Sequence, residues 1–178
     1  LMRLSWSGLR PPPVPAEVAD AIGSAPGEKL LAWARDPATG TTVVAGRHAV
    51  YAVGPTPDGV HVILERPWHL VDSGTWSGDD ALLMLTWVDG HAPSRFVLTE
   101  PGMLPETLRE RVQASVVISE GLDLGGRRSA RVVVRTVLSS GDLVSQAVLG
   151  TGVRSTDPGV SEAVRAGLAR VREQVGLD

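Results

Sequence analysis

The sequence predicts an α+β fold: seven antiparallel strands closing into a barrel or sandwich, capped by one amphipathic helix and followed by a small ββα unit. Three observations carry this expectation. Seven short segments rich in Val, Leu and Trp crowd residues 29–99, with explicit turn chemistry between them. From Leu104 an apolar residue recurs every four positions. Beyond Gly125-Gly126, two apolar runs flank a Ser-Ser-Gly-Asp loop, and a last stretch of helical periodicity ends the chain.

Each element has its own justification. Pro15 ahead of Ala16–Ile22 predicts a short helix with proline at its first position, ended by Gly23. The strands are expected at Lys29–Arg35, Thr41–Gly46, Ala49–Val53, Val60–Glu65, Trp68–Trp76, Ala81–Val88 and Arg95–Thr99. Between them stand turn sequences such as Asp36-Pro37-Ala38-Thr39-Gly40, Gly54-Pro55-Thr56-Pro57-Asp58-Gly59 and Asp89-Gly90. No helical period among these strands is long enough for a parallel crossover, so a meander follows. The capping helix starts at Pro105 and runs to about Ser119, with Leu104, Leu108, Val112 and Val116 on one face and Arg109, Glu110, Arg111 and Gln113 on the other. Ser129–Leu138 and Leu143–Gly152 make a hairpin around Ser139-Ser140-Gly141-Asp142. Asp157-Pro158 supplies an N-cap and a first-turn proline for the final helix, whose stripe is Val160, Val164, Leu168, Val171 and Val175. The organisation expected is an N-terminal extension (1–26), a barrel with its capping helix (27–120) and a ββα appendage (121–178).

Composition narrows the function. Hydrophobic residues make up 43% and charged residues 21% of the 178, with a mean hydropathy of +0.07, which suits a chain with a buried core. The formal net charge is −3, with seven basic against eleven acidic residues over 1–100 (−4) and ten against nine over 101–178 (+1). Nucleic-acid binding is disfavoured, since such modules are strongly cationic. Without cysteine, disulfides, thiolate metal sites and cysteine nucleophiles are excluded. The start offers no apolar signal region and no stretch approaches the roughly 20 residues of a spanning helix, so a cytoplasmic location is the expectation.

No catalytic, metal or cofactor motif emerges. His48, His61, His69 and His91 lie on or beside expected strands with no nucleophile elbow nearby. His61 and His69, with Glu65 midway, lack the paired short spacing of zinc sites. Gly150-Thr151-Gly152 is a lone Gly-x-Gly at a strand end, a turn rather than a phosphate loop. Trp33, Trp68, Trp76 and Trp87 are the main large aromatic filling in a chain with one Phe and one Tyr, so a core role comes first. The rival role is a ligand cavity lined by Trp68, Trp76 and Trp87, on one face if Trp68–Trp76 is an unbroken strand. Arg127, Arg128, Arg131 and Arg135 form the densest basic cluster. It is either a solvated, ion-paired face opposite Glu120 and Asp123, or an attractive surface for an acidic partner.

Gly27-Glu28-Lys29-Leu30-Leu31, Thr41-Thr42-Val43-Val44, His48-Ala49-Val50-Tyr51 and Pro67-Trp68-His69-Leu70-Val71 resemble the openings of bacterial pleckstrin-homology-like (PH-like) and GRAM-like domains. The resemblance covers roughly residues 27–119 and rests on layout, seven strands and then one helix. It implies binding of peptides, partner proteins or anionic lipid headgroups. Lipid recognition in that fold uses a basic first hairpin loop, whereas Arg35-Asp36-Pro37-Ala38-Thr39-Gly40-Thr41 carries one charge of each sign. The whole layout, from Leu104-Pro105-Glu106 through the Arg-rich hairpin, is similar to an actinobacterial family without an established activity, which implies no catalytic residues. The expected function is therefore non-enzymatic binding or scaffolding of a partner protein, with a homodimer through the appendage's strand edge as one form of it. The alternative is a carrier of a small molecule or lipid headgroup, or a small enzyme, using the tryptophan-lined cavity.

Overall fold

A computed structural model describes residues 12–177; residues 1–11 of the expected N-terminal extension lie outside the described residues. The architecture is α+β with three antiparallel sheets and three helices among the described residues. Helix α1 (Ala16–Ile22) begins after Pro15, which sits in the cap position with φ −51° and ψ 136°, and ends at Gly23. It seats the buried Val18 on the first sheet.

That sheet comprises β1 (Leu30–Arg35), β2 (Thr42–Gly46), β3 (Ala49–Thr56) and β4 (Gly59–Pro67), in the order β1-β2-β3-β4. Alternation along the strands gives it a core on each face. Ala32, Ala34, Val43, Ala45, Val50 and Ala52 point into the main core, while Val44, Tyr51 and Val53 point out beneath α1. β2 and the first six residues of β3 are therefore buried, and read as near-continuous Val and Ala. The second sheet, β5 (Val71–Ser77), β6 (Leu82–Trp87) and β7 (Ser94–Val97) in that order, closes the main core with Val71, Leu83, Leu85, Trp87 and Phe96. Helix α2 (Leu104–Ser115) completes it with Leu104 and Leu108.

The expected seven-strand barrel is corrected here. The strands divide into these two sheets, and no hydrogen-bonded ladder joins β1 to β7 or β4 to β5. Between β4 and β5, Pro67 removes a donor and the chain turns through a single 3-10 turn, Trp68–Leu70. Trp68 and Trp76 thus do not share a strand, and the even-spacing argument for a common face does not apply.

The appendage has three strands rather than two. Helix α2 ends at Ser115, and Val116 adopts φ −85° and ψ 123° to open β8 (Val116–Asp123), which pairs with β9 (Ser129–Thr136). The valine at position 116 fits the helical stripe, but Val116-Val117-Ile118 is a β-branched run, and pairing with β9 overrides the four-residue period. The third sheet has the order β10-β9-β8, with β10 spanning Leu143–Leu149. Helix α3 (Val160–Gln174) covers one face through Val160 and Val171 over Leu122, Val132 and Val134. At Gly167 the approach is so close that a Cβ would meet Leu122 Cδ2 at 2.8 Å. The helix starts two residues after Pro158, with Gly159 at φ 79° before it. Asp157 gives no side-chain cap to α3, its carboxylate accepting the Arg154 amide at 2.9 Å instead. No helix among the described residues is long and apolar enough to cross a membrane.

Candidate functional site: a groove on the edge of the first strand

A hollow of about 900 Å³ lies along β1. Ala32, Trp33, Ala34 and Arg35 form one wall; Thr99, Glu100, Gly102 and Met103, between β7 and α2, form the other. Met103 is half exposed, and Pro12, Pro15 and Pro37 add further apolar surface. Local chemistry holds both walls in place. The buried Asp36 carboxylate accepts the Ala38 amide at 2.9 Å and the Thr39 amide at 3.3 Å, closing the β1–β2 turn. Its other oxygen accepts the Val97 amide at 3.0 Å, which fastens the end of β7 beside β1. Across the mouth, the Trp33 indole N–H donates to the Pro12 carbonyl at 2.9 Å. Arg35 lies 3.8 Å from Glu17 and is largely solvated, so this ion pair adds well under 1 kcal/mol.

The tryptophans expected to line a cavity pack elsewhere. Trp68 is fully buried in the main core and its indole N–H donates to the Gly46 carbonyl at 2.9 Å. Trp87 is buried under the Arg66 guanidinium, 4.5 Å from its ring centre, and Arg66 in turn pairs with Asp89. Trp76 packs half-buried against the same core. Among the described residues, Trp33 is the tryptophan that reaches the groove.

The arginine cluster is drawn apart. Arg131 and Arg135 do share a face of β9, but that face packs on the first half of the molecule. Arg135 is 1% exposed and donates to the Trp68 carbonyl at 2.7 Å, the Val71 carbonyl at 2.9 Å and the Ser115 hydroxyl at 2.7 Å. Burial, with Arg131 as a lesser cause, pulls its pKa down to about 10, leaving it charged at neutral pH. No carboxylate is among its hydrogen-bond partners. Arg131 pairs with Asp72, and Arg128 folds back on the carbonyls of Leu124 and Pro158. Arg127 alone stands fully in solvent. An acidic partner could therefore reach Arg127 but not Arg135.

The histidines do not converge. His61 is exposed on β4, and His91 faces Asp89 at 3.2 Å. His69 sits half-buried at the seam with the third sheet, where burial and then Arg135 lower its pKa, and its carbonyl accepts the Gln146 amide at 2.7 Å. Among the described residues no three His, Cys, Asp or Glu side chains gather as a metal site would require. Sequence reasoning missed Glu28, whose carboxylate accepts the Tyr51 hydroxyl at 2.7 Å and the His48 amide at 3.2 Å, locking the β2–β3 turn. Burial and this carboxylate push the Tyr51 phenol well above its ordinary range. The available signal was Gly46, which leaves room for a carboxylate that a Cβ would touch at 2.8 Å. No family model, curated protein or solved structure matches this chain.

Proposed function

We propose that the chain is a non-enzymatic binding or scaffolding protein, a PH-like platform of two sheets and α2 whose protein partner lies in the β1 groove. The observation that carries this reading is the groove itself: an apolar hollow on an unpaired strand edge, rimmed by a half-exposed Met103. Four strands, then three, then a helix is the order that supports the PH-like part. The first hairpin loop supplies no cationic cluster for lipid phosphate, because Asp36 is spent on main-chain amides and Arg35 leans toward Glu17. Self-association through the outer strand β10 fits the same reading, and Arg127 supplies a minor electrostatic contact.

A second reading is favoured by one quantity. About 900 Å³ falls within the range of pockets for small molecules, so a carrier would use this groove and not the packed Trp68, Trp76 and Trp87. Native mass spectrometry of the protein isolated from its source cells, beside a Met103→Glu variant, separates the two. A bound protein lost in the variant supports the scaffold. Added mass of a few hundred daltons, on the order of a single small ligand, supports the carrier. A spectrum unchanged by Met103→Glu overturns the groove as the site.

A further inference from the structure

We infer, building on the groove reading above, that the occupant is an extended segment of a partner protein, which pairs with β1 as a fifth strand of the first sheet. Successive side chains of a strand point to opposite faces. Ala32 and Ala34 face the main core, whereas Trp33 packs on the outer side under α1. A hollow touching four consecutive residues, Ala32 to Arg35, lies on neither face. It lies on the strand's edge, where the main-chain N–H and C=O groups are.

Among the described residues those groups have no partner on the side away from β2. β1 is the end strand of its sheet and pairs with β2 alone. Among the described residues, no turn or loop main-chain bond reaches residues 30–35. Over Leu30 to Ala34 the edge carries neither charge nor proline, two usual protections against strand pairing, and its one charge is Arg35 at the end. Its six residues offer about 20 Å of ladder, the length of an ordinary strand. Chain does reach the mouth: the Pro12 carbonyl accepts the Trp33 indole N–H at 2.9 Å.

The lining also specifies the partner's chemistry. Its side chains are apolar or small at alternate positions, to lie against Ala32, Ala34 and Met103. Among the described residues the charged groups in the wall are Arg35 and Glu100, so an acidic residue on the segment complements the first and a basic residue the second. Main-chain pairing supplies affinity and these contacts supply choice.

The test selects peptides from a random library on the full chain, then measures the tightest by fluorescence anisotropy against wild type and Met103→Glu, with circular dichroism confirming that the variant is folded. The expected result is a peptide whose binding falls in Met103→Glu and which loses about tenfold or more when N-methylated at alternate residues, those between being tolerated. Groove-dependent binding that tolerates N-methylation everywhere overturns strand addition and leaves the groove reading standing. Failure to obtain any peptide sensitive to Met103→Glu overturns both. Binding that appears only after deletion of residues 1–11, with a synthetic 1–11 peptide competing for it, assigns the edge to the chain's own segment and overturns the partner.

Discussion

Two seams of the molecule are treated oppositely. Between the third sheet and the first half, the Arg135 guanidinium fills the space and reaches two carbonyls and a hydroxyl. Between β1 and the chain entering α2, apolar side chains wall a space that stays open. The contrast separates structure from recognition. A buried charge is tolerated only when its donors are satisfied, so a guanidinium so fully used is a fixture of the fold. An apolar edge whose main-chain groups have no partner among the described residues has binding capacity left over.

The contrast breaks most readily at the seam. Arg135→Met is expected to cost about 3 kcal/mol or more, because the carbonyls of Trp68 and Val71 and the Ser115 hydroxyl each lose a buried partner. Urea unfolding checks this, and a loss below about 1 kcal/mol would return Arg135 to the role of a surface group. On the opposite face of the same sheet, Gly167→Ala drives a methyl against Leu122 and Val132 and should cost about 1–3 kcal/mol, read as a lower Tm.

A pH series sharpens the comparison further. His69 at the seam has its pKa lowered by burial and by Arg135, so the folded state resists protonation more than the unfolded chain does. Its contribution is therefore neutral above the ordinary imidazole value of about 6.5 and becomes destabilising as the pH falls through and below it. Stability should decline from pH 7 to pH 5, and His69→Gln should flatten that slope; an unchanged slope places the loss elsewhere. The smallest expected effect is at the groove, where Met103→Glu changes stability by less than about 0.5 kcal/mol while affecting binding.

Much of this was legible in the sequence, for physical reasons. The strands of the first two sheets followed from runs rich in Val, Leu and Trp between Gly, Pro and Asp turns, save that Trp68–Leu70 forms a 3-10 turn ahead of β5, and α3 followed from its five-residue apolar stripe. β8 was not legible, since Val112 and Val116 satisfy a helical period that only β9, a tertiary partner, can overrule. Asp157-Pro158, ahead of α3, has the composition of a cap, yet Gly159 makes the turn into the helix. The arginines were found, but strand alternation alone could not say which side of β9 the first half would cover. The groove was invisible in advance because its walls come from three separated segments around residues 12–15, 32–37 and 99–103.

The passage from α2 to β8 has a mechanical consequence. Helix gives way to strand between Ser115 and Val116 with no loop residue between, and Ser115 is also the hydroxyl that Arg135 grips. The joint is a weld rather than a hinge. Met103, the cap residue ahead of α2, borders the groove, and the last residue of the helix is soldered to the third sheet, about 18 Å away along the helix axis. Anything held against β1 is thus carried at a fixed bearing from the third sheet, as on a set square.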